Sequence, residues 1–138
     1  MGFGPLSEIA GYILRIATKQ WVDQVFDSAI YYTSISRKWT GGHTILFVHK
    51  TVEGDAVIGY GVIENVYGKD DLSEEEKRRC QEEGWSKALE FKYVKELEKP
   101  LLIKETFLKN TKLRGRLLQG LTVTRKQLDA TINQAERQ

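Results

Sequence analysis

Residues 43–65 constrain the fold of this 138-residue chain most strongly, because two β-prone runs there flank a turn. Residues 44–48 form an apolar, β-prone run, short enough to be a strand buried on both faces. Residues 53–55 have the composition of a turn, and residues 56–66 are again rich in β-formers. This order predicts a long antiparallel hairpin.

The return strand of the hairpin carries two glycines, Gly59 and Gly61, on one face. Strand alternation predicts that the larger side chains share the opposite face: Ile58, Tyr60, Val62 and Val66. Two interpretations of the glycines stay open. They let a barrel strand bend, or they leave a bare patch that another backbone or a flat ligand can approach.

Further strands are indicated at residues 11–17, 30–36 and 89–95, with another extended piece at 101–103 and loops at 67–71 and around Pro100. A helix follows the first strand, with Thr18 as its predicted side-chain cap. Its apolar stripe includes Trp21, which we therefore assign to the core.

Two capping boxes predict two more helices. Ser73 with Glu76 opens a helix that ends near Glu83, and Thr124 with Gln127 opens the last helix. Gly84 follows the first of these helices, where a left-handed glycine is a common helix terminator.

These elements predict an α+β fold. We expect a small, mixed, mainly antiparallel β-pseudobarrel of five to six strands, flanked by two to three short helices. We expect one domain over residues 1–138, with a core at about 11–128.

The charges are distributed unevenly along the chain, although the net charge is only +2. Residues 70–98 hold ten acidic and six basic side chains, whereas residues 99–126 hold eight basic and one acidic. This asymmetry is typical of proteins with an anionic partner such as nucleic acid, and also of a solvated charged face.

The single cysteine, Cys80, excludes a disulfide framework and suits a reducing compartment. The sequence contains no apolar run of the ~18 residues that a membrane span needs, and its N-terminus lacks the layout of a signal peptide. We therefore expect a cytoplasmic protein without membrane contact.

Four segments occur in an order that resembles the PUA-like superfamily, which includes PUA, ASCH, EVE and YTH domains. They are YYTSISRKW, ILFVHK, VIGYGVIENV and WSKALEFKYVKEL, and the resemblance spans about residues 11–128. It implies a PUA-like pseudobarrel that binds RNA or a modified base in nucleic acid.

The resemblance also implies which residues would hold a base. Tyr31 corresponds to one aromatic of the pocket, Thr33 and Ser34 to a polar pair that follows it, and Trp85 to a second aromatic at the rim. Aromatic faces stack on bases, and hydroxyl groups both donate and accept hydrogen bonds. YTH readers carry tryptophan where this chain has Tyr31.

Basic residues near this pocket are candidates for phosphate contacts. We predict this role for Arg37 and Lys38, for Lys50 at a strand end, and for Arg114 and Arg116. The aromatic residue next to Lys38, Trp39, is predicted to belong to the same site.

Two other functions remain alternatives. Some small ASCH proteins are amidohydrolases on acylated nucleosides, and ASCH domains carry a Gly-x-Lys-x-x-Glu-x-Arg signature. Laid on residues 28–35, its lysine falls on Ile30, its glutamate on Thr33 and its arginine on Ile35, so the motif is absent. The missing lysine and glutamate argue against that chemistry. A hydrolase of modified nucleosides that uses other polar residues stays an alternative prediction, and a protein-binding adaptor is another.

No metal, cofactor or catalytic group is predicted. His43 and His49 lie six residues apart without further ligands at suitable spacing. No pairing of a nucleophile with a base is evident.

Overall fold

The computed structural model describes residues 8–138. Within that range the chain forms six strands, β1 (Ile9–Arg15), β2 (Ile30–Thr33), β3 (Thr44–Thr51), β4 (Gly54–Gly68), β5 (Lys87–Leu102) and β6 (Thr122–Thr124). It also forms three α-helices, α1 (Lys19–Ser28), α2 (Glu74–Glu83) and α3 (Arg125–Glu136). Three short 3-10 helices lie at Lys69–Asp71, Ile103–Glu105 and Gly115–Leu118.

The six strands form one curled, mixed sheet in the order β2-β5-β4-β3-β1-β6. Strands β1 and β3 are parallel, and the other neighbouring pairs are antiparallel. The predicted α+β, mainly antiparallel pseudobarrel with flanking helices is confirmed. The predicted hairpin is the β3–β4 pair, with Thr51 opposite Gly54 at its turn.

Both faces of the central strands are covered, as the apolar run in β3 predicts. Ile45 and Phe47 face a core under α1, and Leu46 and Val48 face a second core under α3. We call these the α1 core and the α3 core. The α1 core includes Val22 and Val25 of α1, and the α3 core includes Leu128 and Ala135 of α3.

The helix ends follow the predicted capping residues with one exception. Ser73 accepts a hydrogen bond from the Glu76 backbone N–H at 3.2 Å, Thr124 accepts one from the Gln127 N–H at 3.2 Å, and both capping boxes are complete. Gly84 ends α2 with φ of 78°. The side-chain cap predicted for Thr18 is wrong, because Thr18 occupies the N-cap position without a side-chain hydrogen bond.

Several strand boundaries differ from those predicted. β2 ends at Thr33, three residues early, because the Thr33 hydroxyl accepts a hydrogen bond from the Ile35 N–H at 3.0 Å and turns the chain. β4 continues to Gly68 and β5 runs through Pro100 to Leu102, so each replaces part of a predicted loop. β6 was not predicted. No helix among residues 8–138 combines the length and the apolar character that a membrane crossing requires.

The two glycines of β4 are covered by protein. A Cβ on Gly59 would lie 2.5 Å from the Phe26 ring and 2.4 Å from the Lys95 carbonyl oxygen. The predicted shared face of Ile58 and Tyr60 is wrong, because Ile58 packs in the α1 core and Tyr60 against the α3 core. Irregular register between residues 57 and 59 explains the change, since a bulge interrupts strand alternation.

Candidate nucleic-acid interface

Four basic side chains that are distant in sequence line one groove on the surface. They are Arg15 from the end of β1, Lys50 from β3, Lys104 from the 3-10 helix after β5, and Arg114 from the following segment. The groove has a volume of about 420 Å³, and its wall also includes Glu53 and Asp55. We call it the cationic groove. It brings together two of the predicted phosphate contacts, Lys50 and Arg114.

Asp55 holds two sides of this groove together. Its Oδ1 accepts a hydrogen bond from Nε of Arg15 at 3.2 Å and forms an ion pair with a second guanidinium nitrogen, also at 3.2 Å. Its Oδ2 accepts a hydrogen bond from the Gly115 backbone N–H at 2.7 Å. The Asp55 side chain is 7% exposed and that of Arg15 is 20% exposed. Each carboxylate oxygen is therefore engaged, and Asp55 connects β1 and β4 to the segment that carries Arg114.

A second contact fixes the same segment to β1. The side-chain amide of Gln119 donates to the Arg15 carbonyl at 3.0 Å and accepts from the Arg15 N–H at 2.7 Å. Arg114 is half-buried and donates to the Leu113 carbonyl at 2.6 Å. Arg116 is exposed on the adjoining 3-10 helix. The Arg114 backbone is thus held in place while its charge faces the groove.

A separate cluster of aromatic rings lies where α1, β2 and α2 meet. Trp85 stacks on Tyr32 with ring centroids 5.1 Å apart and an interplanar angle of 14°, and it meets Trp21 edge to face at 5.0 Å. The guanidinium carbon of Arg79 lies 5.7–5.9 Å from the centroids of all three rings. This is cation–π range. Trp21 and Trp85 are half-buried, so the cluster reaches the surface.

The partner of Trp85 is Tyr32 and not Tyr31. Tyr32 packs with Cys80 and Ala88 on one side of β2, whereas Tyr31 packs against the α1 core on the other. Burial raises the pKa of Tyr31 to about 12. Burial and a 2.9 Å hydrogen bond to Glu76 raise the pKa of Tyr32 to about 12.

Thr33 and Ser34 occupy different environments. Thr33 is 4% exposed, and its hydroxyl accepts the Ile35 N–H, whereas Ser34 is exposed. The structure therefore does not bring Tyr31, Thr33, Ser34 and Trp85 together around one open pocket.

The predicted cluster at residues 37–39 also divides. Arg37 donates from Nε to the Gly120 carbonyl at 2.9 Å, which fastens this loop to the end of the basic segment. Lys38 is exposed. Trp39 is 8% exposed, packs edge to face on Tyr12 at 4.9 Å and donates to the Ile35 carbonyl at 3.1 Å. Because the Trp39 ring is packed in the α1 core, it is not part of the surface of the candidate interface.

The groove and the aromatic cluster lie at opposite ends of the β4–β5 ribbon. Asp55 is the second residue of β4, after Gly54, and lies beside the groove. Gly68 ends β4 opposite Lys87, which is two residues after Trp85. The thirteen steps between Asp55 and Gly68 span about 40 Å along the strand at roughly 3.3 Å per residue. The predicted single site is therefore two surfaces.

Neither histidine lines the cationic groove or belongs to the aromatic cluster of Trp21, Tyr32 and Trp85. Nδ1 of His49 lies 2.6 Å from the Ile16 carbonyl oxygen. Nδ1 of His43 is buried without a hydrogen-bond partner among residues 8–138, and burial lowers the pKa of His43. No cluster of three or more metal-binding side chains occurs in that range.

Comparison with known proteins identifies the fold. No protein-family model and no curated protein matches the chain. The crystal structure of ASCH from Zymomonas mobilis matches it with a TM-score of 0.64 at 11% sequence identity, over 90% of this chain and 94% of that chain. The chain has the fold of an ASCH domain. A tyrosine-to-phenylalanine mutant of the Zymomonas mobilis protein gives a TM-score of 0.63 at 12% identity, over 90% of this chain and 97% of that chain.

A serine-to-alanine mutant of the same protein gives a TM-score of 0.62 at 12% identity, over 92% of this chain and 99% of that chain. The resemblance to PUA-like ASCH domains that the sequence suggests is thus confirmed at the level of the fold. At this identity the match concerns the ASCH fold alone.

Sequence reasoning missed five residues of these surfaces, and one of them is Trp21, which it assigned to the core. Arg15 and Lys104 are single basic residues beside apolar runs, and only the sheet topology brings them to Lys50. Tyr32 and Arg79 join Trp85 through the packing of α2 on β2. The alternation of β2 does separate Tyr31 from Tyr32, but it does not say which of them meets Trp85.

Proposed function

We propose that this protein binds RNA or a related nucleic acid by holding backbone phosphates in the cationic groove. The observation that carries the proposal is the convergence of Lys50, Lys104 and Arg114 from three separate segments onto one concave surface. Like charges placed together repel one another, and an anion that lies between them relieves the repulsion. A concave surface also focuses the potential of its charges.

The construction of the groove supports the same function. Asp55 neutralises Arg15, but its two oxygens are engaged by Arg15 and Gly115, so Lys50, Lys104 and Arg114 keep their charges for a ligand. A guanidinium group can bind a phosphate with two parallel hydrogen bonds. Phosphate contacts of this kind position a nucleic acid and do not read its bases.

Base recognition belongs to a second part of the proposal. Trp21 and Trp85 are half-buried and could each offer a ring edge or face to an unstacked base, which is worth about 1–3 kcal/mol per stacked base. Tyr31, Thr33 and Ser34 stay predicted base contacts, and Arg37, Lys38 and Arg116 stay predicted phosphate contacts.

Salt-dependent binding of a fluorescein-labelled single-stranded 12-nucleotide RNA tests the proposal. We expect Lys50→Ala with Arg114→Ala to weaken binding by roughly 10-fold for each residue at moderate salt, because each removes a charge-assisted contact. The slope of log K against log salt should shrink by about 1.4, since a single strand loses about 0.7 per phosphate contact.

A matched control removes the same charge elsewhere. Arg78 and Lys92 are exposed outside the groove, so Arg78→Ala with Lys92→Ala should leave the affinity near that of the wild type. Equal weakening by both double variants would mean that net charge alone drives binding. Absence of binding to RNA at low salt would refute the proposal, and turnover of modified nucleosides by the same protein would favour the hydrolase alternative.

A further inference from the structure

We infer that Glu53 makes the cationic groove selective for RNA over DNA by accepting a hydrogen bond from a ribose 2′-hydroxyl. This inference rests on the proposed function. It concerns a carboxylate in the wall of a groove whose basic side chains are suited to phosphate.

Glu53 and Asp55 are the two carboxylates of the groove wall, and their environments differ. The Asp55 side chain is 7% exposed and gives its oxygens to Arg15 and Gly115. Glu53 is exposed, and its side chain makes no hydrogen bond or ion pair with residues 8–138. Glu53 is therefore the carboxylate that a bound ligand can reach.

The backbone of Glu53 is held at the hairpin turn. The Thr51 hydroxyl accepts a hydrogen bond from the Glu53 N–H at 3.2 Å and donates one to the Gly54 carbonyl at 2.7 Å. Gly54 takes a φ of 122°, which glycine adopts readily. The carboxylate thus stands on a fixed turn at the mouth of the groove.

The chemistry of Glu53 decides what it can recognise. An ionised carboxylate only accepts hydrogen bonds, and the backbone phosphates of a nucleic acid also only accept them. Glu53 therefore opposes phosphate binding unless the ligand supplies a donor next to the phosphate. The sugar–phosphate backbone of DNA has no such donor, whereas that of RNA has the 2′-hydroxyl.

The hairpin register places Glu53 close to Lys50. Lys50 is opposite Asp55 and Thr51 is opposite Gly54, so Glu53 lies in the connecting turn, three residues after Lys50. At about 3.3 Å per strand residue, their backbones are within about 10 Å of one another. The 2′-hydroxyl is attached to the carbon next to the one that bears the 3′-phosphate. In the inferred complex, the ribose of a phosphate bound at Lys50 lies beside Glu53.

Three labelled 12-nucleotide probes of one sequence test this inference: RNA, DNA and 2′-O-methyl RNA. For the wild type we expect RNA to bind about tenfold more tightly than DNA, the effect of one hydrogen bond to a charged group. The 2′-O-methyl probe should bind like DNA, because it keeps the ribose oxygen and lacks the donor. In Glu53→Ala the RNA-to-DNA ratio should fall to about 1, with DNA binding more tightly than it does to the wild type.

Glu105 provides a matched control. It is exposed, it lies in the cavity next to the groove that Glu53 also borders, and it is not part of the groove wall. Glu105→Ala removes the same charge and should keep the wild-type ratio. A change of the ratio in this control as large as that in Glu53→Ala would overturn the inference.

The remaining outcomes separate this inference from the proposed function. Equal binding of RNA and DNA by the wild type, lost in Lys50→Ala with Arg114→Ala, would overturn the role of Glu53 and keep the groove. Equal binding of RNA and 2′-O-methyl RNA would also overturn it, because the hydroxyl donor would then be dispensable. No binding of any probe would overturn both.

Discussion

Replacing Asp55 with alanine should both destabilise the protein and weaken its binding of RNA. The substitution removes the ion-pair partner of Arg15, together with the acceptor of one hydrogen bond from Arg15 and of one from the Gly115 N–H. The Arg15 guanidinium is then left largely buried without its counter-charge, and the segment that carries Arg114 loses its attachment to β4. The effect thus combines an unpaired charge with a freed loop.

The magnitude follows from the burial of the pair. Breaking a buried ion pair by removing one partner costs about 3–5 kcal/mol. The Arg15 side chain keeps 20% of its exposure, and partial hydration lowers the cost. We expect the free energy of unfolding to fall by about 2–3 kcal/mol. For a chain of this size each kcal/mol corresponds to roughly 3 °C in Tm, so Tm should fall by about 6–9 °C.

Urea unfolding followed by circular dichroism measures this change, with Glu53→Ala as the control. Glu53 is exposed, and its side chain makes no hydrogen bond or ion pair within residues 8–138. Its removal should therefore change the free energy of unfolding by less than about 0.5 kcal/mol. A loss below 0.5 kcal/mol in Asp55→Ala as well would refute the reasoning about Asp55.

The binding measurement gives an independent answer because two effects predict opposite signs. Removal of a negative charge alone would tighten the binding of RNA. Loss of the positioning of Arg15 and Arg114 would weaken it, because a mobile cation must be ordered when the ligand binds. We expect the second effect to dominate. Tighter binding by Asp55→Ala would show that the groove does not depend on Asp55 for its shape.

Three further predictions concern other parts of the fold. Gly59→Ala should lower the free energy of unfolding by about 1–3 kcal/mol in urea titrations, because its Cβ would lie 2.5 Å from the Phe26 ring; unchanged stability would contradict the close packing. Tyr32→Phe should lower the free energy of unfolding by about 1 kcal/mol, because it removes the hydrogen bond to Glu76. It should also raise the pKa of Glu76, measured by carbon-13 NMR, and an unchanged pKa would contradict that bond. The pKa of His43 is lowered in the folded state, so the unfolded state binds more protons below about pH 6.5 and stability falls as pH falls through this window. His43→Gln should reduce the difference in the free energy of unfolding between about pH 7.5 and about pH 5.5, and an equal difference in this variant would contradict the prediction.

The elements that the sequence predicts correctly depend on residues that are close together in the chain. The Ser73 and Thr124 capping boxes need a partner only three residues away, and Gly84 needs only its own conformation. The hairpin likewise follows from two adjacent runs and the turn between them. In each case the local hydrogen bonds decide the geometry, and the tertiary structure does not override them.

The candidate interface could be predicted only in part because its contacts join distant residues. Arg15 lies 40 residues from Asp55, and Gly115 lies 60 residues from it. The charge asymmetry predicts a basic surface around Arg114, and the end of a strand predicts a contact at Lys50. Neither pattern contains information on the sheet topology that brings these two residues together. The parallel pairing of β1 with β3 supplies that information, since it aligns Arg15 with Val48, two residues before Lys50.

The length of the β4–β5 ribbon determines what intrinsic fluorescence can report. Trp21 and Trp85 lie at its end away from the groove, and Trp39 packs near the start of β3, also away from Lys50. The fluorescence emission of the three tryptophans should therefore change on unfolding and should change little when an anion binds in the groove. A spectral change on addition of an oligonucleotide would locate a base at the indole end of the molecule, and one titration without any attached dye could thereby distinguish the two contact regions.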